Sequence, residues 1–272
     1  MPRHRRRGAR AGRLAAVVLA LAVLPASVPV PPGRAAATVV VAQMNLCNSG
    51  LASSCYSFGA AVDQAAAAIR RHRPDVVAVH EVCRGDLTGP AGPGRLARAM
   101  ADAHGAGQVG LAFTPAVDRD TGGGYRCTSG DLFGIALLAR GAGGAARSGA
   151  YRSQDASDEA RVWTCVPVLD GRLTGCTTHL STVPTVARRQ CRELVAVLGS
   201  PWVLPEVVVA ADLNLTGGDC APPGYGRRGD GSVQQILFSP GVRWVGGGSA
   251  DLLGTDHPLL YGELALPSPP AR

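Results

Sequence analysis

Residues 207–214 have the sequence VVVAADLN, an apolar run that ends in an aspartate and an asparagine. A short run of β-branched residues of this kind is typical of a buried central or parallel strand. Two other segments share the arrangement, VVVAQMN at residues 39–45 and DVVAVHE at residues 75–81. The three runs therefore predict three buried strands, each holding a polar side chain rigidly where the strand ends.

Five short polar clusters follow one another along the chain, three at these strand ends and two outside them. In order they are Asn45, Glu81, His179, Asp212 with Asn214, and Asp256 with His257. If the fold brings these segments together, their carboxylate and amide oxygens form a site suited to a hard divalent cation. Every functional prediction from the sequence depends on this convergence.

The N-terminus has the pattern of a secretory signal peptide, which we assign to residues 1–37. Six arginines between Arg3 and Arg13 are followed by an eleven-residue apolar stretch, Leu14 to Leu24, and by three alanines at residues 35–37. The apolar stretch is too short to span a bilayer. We therefore expect a secreted, extracellular protein whose mature chain, residues 38–272, forms a single domain.

Removing this segment changes the charge balance. The full chain has 27 Lys plus Arg and 20 Asp plus Glu, a formal net charge of +7. Seven of the basic residues and none of the acidic ones precede Thr38, which leaves 20 of each sign and a net charge near zero. Bulk basicity therefore gives no argument for a nucleic-acid partner.

The chain has eight cysteines, and an even number predicts disulfides in an exported protein. None is in C-x-x-C spacing, so a zinc ribbon or a thioredoxin-type site is not expected. Strand-like segments on either side of the turn sequence Asp170-Gly171 favour a hairpin in which Cys165 faces Cys176. Cys47–Cys55 is predicted because the two lie close in sequence, and Cys83–Cys127 and Cys191–Cys220 are the pairs that remain.

The predicted strands outnumber the helices, and hairpins are mixed with helical crossovers. This pattern predicts an α+β fold of packed sheets with helices outside. Helices are predicted at residues 58–72, with Ser57 as the N-cap, at 96–104 and at 186–198. Gly- and Pro-rich stretches at 89–94, 141–149 and 221–231 are predicted to be loops.

The five clusters resemble the motif series of the endonuclease/exonuclease/phosphatase superfamily, which includes pancreatic-type deoxyribonuclease. The similar segments are QMN at 43–45, DVVAVHE at 75–81, THLS at 178–181, ADLN at 211–214 and TDH at 255–257. The resemblance covers about residues 39–264. It implies a four-layer α/β/β/α sandwich of two mainly antiparallel sheets, and hydrolysis of a phosphate ester that depends on Mg²⁺, with Mn²⁺ or Ca²⁺ as alternatives.

Three residues are predicted to hold the metal. Glu81 is expected to be the direct ligand because its carboxylate suits Mg²⁺. Asn45 would supply a neutral oxygen, and Asp256 would complete the coordination. Taken singly, Asn45 and Glu81 are better explained as a strand-end cap and a surface carboxylate, and only the full series favours a metal site.

Four residues are predicted to act on the phosphate. By resemblance, Asp212 orients or deprotonates the attacking water and Asn214 donates a hydrogen bond to the phosphate. His257 is expected to be the general base or acid, because imidazole titrates near neutral pH. His179 is expected to bind phosphate oxygens or to donate a proton to the leaving group.

Three further residues border these motifs. Arg84 is a phosphate contact or an exposed loop arginine, with the two interpretations about equally supported. His80 is expected to face away from Glu81, on the opposite side of the sheet, and to be structural. Gln234 stands where the superfamily carries an aspartate that orients the last histidine. Its oxygen could fix the imidazole of His257, but it brings no negative charge to stabilise an imidazolium.

The sequence therefore predicts a secreted, metal-dependent phosphodiesterase. A DNase-like endonuclease, monomeric and acting on nucleic acid, is the first hypothesis. A sphingomyelinase-type lipid phosphodiesterase or a phosphomonoesterase is the enzymatic alternative, and the lipid enzyme would need an exposed apolar element, of which no aromatic-rich hairpin is evident. A non-catalytic binding protein on the same scaffold is the third hypothesis, supported only by Gln234.

Overall fold

The computed structural model describes residues 37–218 and 220–268, so the predicted signal peptide, apart from Ala37, lies outside the described residues. The helices are α1 (Ala60–His72), α2 (Arg95–His104) and α3 (Pro184–Leu198), with a short 3₁₀ helix at Arg84–Asp86. The strands are β1 (Thr38–Asn45), β2 (Val76–Cys83), β3 (Thr88–Gly89), β4 (Gly92–Pro93), β5 (Val109–Pro115), β6 (Val117–Asp118), β7 (Phe133–Arg140), β8 (Arg147–Ala150), β9 (Glu159–Ala160), β10 (Val162–Val168), β11 (Leu173–Thr178), β12 (Val207–Asp212), β13 (Gly226–Gly229), β14 (Gln234–Phe238), β15 (Arg243–Ala250) and β16 (Leu259–Ala265).

Twelve of these strands form two six-stranded sheets. The first sheet has the order β15-β16-β1-β2-β7-β5 and the second has the order β13-β14-β12-β11-β10-β8. Each sheet contains one parallel pair, β1 with β2 and β11 with β12, and its other neighbours are antiparallel. The apolar runs quoted above are β1, β2 and β12, which lie inside their sheets, and this explains why they read as almost continuous apolar sequence.

The side chains of β2 show how the layers pack. Val76 and Ala78 face the second sheet, where they join an apolar core that includes Val208 and Ala210 of β12. The alternate residues of β2 pack under α1 and α2 in a second core, and α3 covers the outer face of the second sheet in a third. The four-layer α/β/β/α sandwich implied by the sequence is therefore confirmed.

Helix α1 begins later than predicted. The N-cap is Gly59 in the left-handed conformation, with φ 88°, and the first helical residue is Ala60. The Ser57 hydroxyl still accepts a hydrogen bond from the backbone N–H of Ala61, at 3.1 Å, so it satisfies a helical donor without being the cap residue. The helix ends at His72, and its C-cap Arg73 leaves the helical conformation because Pro74 follows and disfavours helical backbone in the residue before it.

The stretches predicted as loops contain short strands. β3 and β4 pair across the first stretch, with β3 beginning one residue before it, β8 overlaps the second, and β13 lies inside the third. β8 and β13 are edge strands with mostly exposed side chains, so they lack the alternation of apolar and polar residues that identifies a strand in sequence. The loop prediction was therefore wrong at these positions.

All eight cysteines form disulfides, and the four pairs are those that the sequence suggested. Cys165 and Cys176 are directly opposite in the β10–β11 hairpin, with their Cα atoms 4.1 Å apart. Cys191–Cys220 ties α3 to the loop after β12, and Cys83–Cys127 ties the end of β2 to the loop before β7. None of the helices in the described part of the chain combines the length and the hydropathy that a membrane span requires.

Candidate active site

Three predicted site residues meet where β1, β2 and β12 end. The side-chain amide of Asn45 donates hydrogen bonds to Glu81 Oε1, at 2.9 Å, and to Asp212 Oδ2, at 3.1 Å. Asn45 and Asp212 are fully buried, and Glu81 is partly exposed. One amide thus joins a carboxylate from each of the two sheets, as the predicted convergence requires.

An irregularity in β2 places Glu81 in this cluster. The pairing of β2 with β7 shifts register between Val79 and Val82, and Glu81 has a left-handed backbone with φ 52°. Strict alternation would have put Glu81 on the helix-covered face with Val79. A left-handed conformation at a residue other than glycine costs about 1–3 kcal/mol, and such strain is concentrated at functional sites.

The left-handed backbone of Glu81 also changes the position of His80 relative to Glu81. The His80 ring lies 6.0 Å from the His179 ring, and Glu81 Oε1 lies 3.9 Å from His179 Nε2, so both residues approach the same histidine. The prediction that they face opposite sides of the sheet was wrong, because the left-handed residue breaks the alternation. His80 is buried, its Nε2 hydrogen bonds to Thr177 Oγ1 at 2.7 Å, and burial lowers its pKa to about 3.

The two predicted catalytic histidines both lie close to Asp212. His257 Nδ1 is 3.7 Å from Asp212 Oδ2, and His179 Nε2 is 4.0 Å from the same oxygen. The segment that carries His257 is fixed to β1, since the hydroxyl of Thr255 donates to the carbonyl of Asn45 at 2.9 Å. Asp212 is therefore within reach of both imidazoles.

Burial dominates the electrostatics of the cluster. It raises the pKa of Glu81, although the Asn45 hydrogen bond opposes the change, and it raises the pKa of Asp212 against the opposing effect of His257. It lowers the pKa of His179 well below the usual value, and Arg161 adds to that effect. The site therefore holds two carboxylates whose charged forms are costly beside an imidazole that favours its neutral form.

This donor set fits a divalent cation. Two carboxylates and a carboxamide supply the oxygen ligands that Mg²⁺ prefers, and a cation would offset the cost of keeping both carboxylates ionised. In the structure the amide nitrogen of Asn45 faces the carboxylates, while its oxygen accepts a hydrogen bond from the backbone N–H of Cys47 at 3.0 Å. Asn45 would have to turn its amide to act as the predicted oxygen ligand.

Asp256 lies at the edge of this cluster. Its side chain is 62% exposed, and its carboxylate is 3.6 Å from His257 Nε2. Among the described residues, the one group of three potential metal ligands that lie mutually close is Asp256 with Cys47 and Cys55. Those two sulfurs form a disulfide and are not thiolates, so this group is not a metal site. The metal role of Asp256 stays a prediction.

Asn214 and Gln234 bond to the backbone of neighbouring segments. Asn214 Nδ2 donates to the carbonyl of Leu180 at 2.8 Å, which uses one of its two amide protons. Gln234 pairs with Asp212 in the β12–β14 register, and its Nε2 donates to the carbonyl of Pro258 at 2.8 Å. Its buried oxygen has no hydrogen-bond partner among the described residues. Gln234 thus anchors the segment after His257, whereas Asp212 Oδ2 lies 3.7 Å from His257 Nδ1.

Arg84 begins the 3₁₀ helix that follows β2 and is exposed. Its backbone N–H donates to the carbonyl of Leu132, which fixes the backbone of this position next to the end of β2. The side chain is therefore on the surface close to Glu81 in sequence. Its contact with a phosphate stays a prediction.

The sequence did not identify Arg161 and Glu159 as part of the site. Arg161 is buried, and its Nη1 lies 2.9 Å from His179 Nδ1 and 3.2 Å from Glu159 Oε1. Burial raises the pKa of Glu159 to about 7, although Arg161 acts to lower it. The sequence did contain the information needed to find Arg161. If the strand pairing that sets Cys165 opposite Cys176 is extended away from the turn of the hairpin, Arg161 comes next to His179.

Comparison with known proteins supports this fold. No protein-family model matches the sequence, and no curated protein matches it either. Among solved structures, the endonuclease/exonuclease/phosphatase from Beutenbergia cavernae DSM 12333 matches with a TM-score of 0.62 and 19% identity, over 86% of this chain and 73% of that one.

Two further structures have described ligands. ANGEL2, a 2',3'-cyclic phosphatase solved in complex with adenosine-2',3'-vanadate, matches with a TM-score of 0.60 and 12% identity, over 86% of this chain and 97% of its own. TDP2 from D. rerio, solved with a single-strand DNA product, matches with a TM-score of 0.55 and 13% identity, over 84% and 98%. At these identities the likeness shows a shared fold, and the resemblance drawn from the sequence motifs is confirmed at that level.

Proposed function

We propose that this chain, which has the endonuclease/exonuclease/phosphatase fold, is a secreted phosphodiesterase that depends on a divalent metal, with DNase-like endonuclease activity as the first expectation. The observation that supports it most is the bridge from Asn45 to Glu81 and Asp212, with His179 and His257 beside it. ANGEL2 is a 2',3'-cyclic phosphatase and TDP2 was solved with a single-strand DNA product, which agrees with phosphate-ester chemistry on this fold.

Each residue of the cluster has its own role in the proposed reaction. Glu81, with Asn45 and Asp212, would hold Mg²⁺, and the ion would supply positive charge to the non-bridging phosphate oxygens. Asp212 Oδ2 would accept a proton from the attacking water, and His257 Nδ1, 3.7 Å away, would share that proton. His179 Nε2, 3.9 Å from Glu81 Oε1 and 4.0 Å from Asp212 Oδ2, would hold a phosphate oxygen.

The test is a parallel hydrolysis assay on plasmid DNA, RNA, sphingomyelin and a chromogenic phosphomonoester, each with Mg²⁺ and with EDTA. We expect activity on at least one phosphodiester in Mg²⁺ and none in EDTA. Glu81→Ala and His257→Ala should remove that activity. The matched controls are Asp102→Ala, on the outer surface of α2, and His72→Ala, at the end of α1, which should remain active. Equal activity in Glu81→Ala and in the wild type would refute the proposal.

One observation favours a second candidate, a lipid phosphodiesterase. Phe58 is 89% exposed and Leu253 is 68% exposed, and their loops adjoin, since a Cβ placed on Gly254 would lie 2.6 Å from the Ser57 hydroxyl oxygen. The second loop continues to Thr255, which bonds to Asn45, and to His257. Two exposed apolar side chains thus border the site, although the sequence showed no aromatic-rich hairpin. Such side chains can enter the interface of a membrane.

Binding and hydrolysis of lipid vesicles distinguish the lipid phosphodiesterase from the nuclease. If the substrate is a lipid, the double variant Phe58→Ser/Leu253→Ser should lose binding to sphingomyelin vesicles and hydrolysis of them, and should keep hydrolysis of a soluble phosphodiester. If the substrate is nucleic acid, the double variant should cleave DNA at the wild-type rate. Val245→Ser, at an exposed apolar position on the edge strand β15, is the matched control.

A further inference from the structure

The contact between Arg161 and His179 constrains where a proton can lie. Arg161 Nη1 is 2.9 Å from His179 Nδ1, a hydrogen-bond distance between two buried side chains. A guanidinium is permanently protonated, and its nitrogens donate hydrogen bonds and do not accept them. His179 Nδ1 must therefore be the acceptor, and an accepting ring nitrogen carries no proton.

We propose that Arg161 is a positioning residue that fixes His179 as the neutral tautomer with its proton on Nε2. The protonated Nε2 is the nitrogen that faces the cluster, 3.9 Å from Glu81 Oε1 and 4.0 Å from Asp212 Oδ2. His179 therefore presents a hydrogen-bond donor to the space where the phosphate would lie. Protonation of Nδ1 would set an N–H against the guanidinium, so both the other tautomer and the imidazolium are disfavoured.

Arg161 is itself held in place from two sides. Its guanidinium contacts Glu159 Oε1 at 3.2 Å. Its backbone is held by Gln154, whose Oε1 accepts from the N–H of Arg161 at 2.8 Å and whose Nε2 donates to its carbonyl at 3.1 Å. A side chain fixed in this way can hold the imidazole at a defined angle, as supporting residues do at other sites.

This inference rests on the proposed function and favours phosphate binding over protonation of the leaving group, the two roles of His179 that the sequence left open, because a neutral imidazole is a very weak acid. A neutral imidazole with a proton on Nε2 can bind a phosphate oxygen as a donor. It has no free lone pair on the side that faces the substrate, so it cannot take a proton from water there. Proton acceptance is left to Asp212 and His257, and His179 stabilises negative charge on the phosphate.

The direct test is nuclear magnetic resonance of the full chain, labelled with ¹⁵N, without metal and at neutral pH. Long-range proton–nitrogen correlations of the histidine rings show which nitrogen of each ring carries the proton, and His179→Asn identifies the signals of His179. We expect a protonated Nε2 and an unprotonated Nδ1. A proton on Nδ1 in the wild type would overturn the proposal, whether or not the protein hydrolyses anything.

Variants show whether Arg161 is the cause. Arg161→Met should remove the constraint on the tautomer, so that His179 populates the Nδ1–H form or the imidazolium. The variant should also lower kcat about 10- to 100-fold, with a smaller effect on KM. Arg161→Lys keeps a charged donor and should retain the Nε2–H form and more of the activity. Arg172→Met, at an exposed arginine of the same hairpin, should change neither.

The outcomes separate this inference from the proposed function. If Arg161→Met folds and His179 keeps the wild-type tautomer, the proposal is overturned. If Arg161→Met does not fold, Arg161→Lys decides, because an Nδ1–H form of His179 in that folded variant also overturns it. A third outcome is that the wild type has the expected tautomer and Arg161→Met loses it, but the wild type hydrolyses no phosphate ester. In that case the positioning role of Arg161 is supported and the proposed function fails.

Discussion

Asn45 and Asp212, which are 167 residues apart in the chain, are joined by a buried hydrogen bond of 3.1 Å between the two sheets. Asn45 ends β1 in the first sheet, and Asp212 ends β12 in the second. The same amide group also donates to Glu81. The candidate metal site is thus a point at which the two sheets are connected, so changes at Asn45 should affect both stability and metal affinity.

Replacing Asn45 with aspartate tests this connection. Asn45→Asp removes the donor shared by Glu81 and Asp212 and adds a third buried negative charge. In EDTA we expect the free energy of unfolding to fall by more than the roughly 1–3 kcal/mol that unpaired buried polar groups cost, because the two carboxylates also repel the added charge. With Mg²⁺ the variant should recover more stability than the wild type does, because an added carboxylate strengthens binding of a cation to the folded state. Thermal unfolding in EDTA and in Mg²⁺ measures both effects.

Asn45→Ala is the control for this experiment. It removes the same hydrogen bonds without adding charge, so it should lose stability in EDTA and gain no more from Mg²⁺ than the wild type. An equal Mg²⁺-dependent rise of Tm in the wild type and in Asn45→Asp would show that residue 45 does not coordinate the ion.

The titration of Glu159 should make the free energy of unfolding of the metal-free protein fall as the pH rises. Its pKa is raised by burial to about 7 in the folded state, from an ordinary value of 4.5. The folded protein therefore binds the proton more tightly, and the stability that this provides is complete below pH 4.5 and is lost as the pH rises through about 7. The shift corresponds to about 3 kcal/mol at most. Chemical denaturation at a series of pH values should show the decline.

Glu159→Gln keeps the shape of the side chain and removes its titration. The curve of unfolding free energy between pH 4.5 and 7 should be flatter for this variant than for the wild type. Asp102→Asn, at an exposed carboxylate, should leave the wild-type curve unchanged. A decline as steep in Glu159→Gln as in the wild type would assign it to other groups.

The sequence predicted the core strands and the convergence of the site because both depend on local pattern. The runs that form β1, β2 and β12 are apolar throughout since both faces of each strand are covered, and this identified the strands whose ends meet. The edge strands β8 and β13 and the glycine-containing strand β15 gave no such signal. Their side chains are largely exposed, so pairing with a neighbour and not burial defines them.

The contacts of Arg161 and the turn at Glu81 depend on tertiary structure. Arg161 reaches His179 because β10 and β11 pair in one register, and that register was predictable from the hairpin, but the direction of a buried guanidinium was not. Glu81 joins the cluster through a left-handed residue and a shift in pairing with β7. Neither feature has a signature in the sequence, because glutamate is not a residue that favours positive φ.

Two disulfides with similar loop lengths should have different effects on function. Cys47–Cys55 spans 8 residues and Cys165–Cys176 spans 11, so loss of either should cost about 2.5–3 kcal/mol by the loop-closure argument. The sulfurs of the first lie within 4.8 Å of the Asp256 carboxylate, next to His257. The second lies within the β10–β11 hairpin.

We therefore expect Cys47→Ser/Cys55→Ser to lower kcat/KM as well as stability, and Cys165→Ser/Cys176→Ser to lower stability alone. Denaturant unfolding and steady-state kinetics on the same samples, at a temperature where both variants are folded, separate the two effects. Equal losses of kcat/KM in the two variants would mean that the loop closed by Cys47 and Cys55 does not position the site.

His80 should have the opposite pH dependence to Glu159. Burial lowers its pKa to about 3 from an ordinary value of 6.5, so the unfolded chain binds the proton more tightly than the folded protein does. Its contribution to stability is complete above pH 6.5 and is lost progressively as the pH falls towards 3.

His80→Gln retains a donor for Thr177 Oγ1 and does not titrate, so its free energy of unfolding should fall less than that of the wild type on acidification. His104→Gln, at a half-buried histidine of α2, is the control and should follow the wild-type curve. Acid sensitivity that is unchanged in His80→Gln would show that His80 accepts its proton in the folded state, and would place a charge between the sheets where the structure has a neutral imidazole.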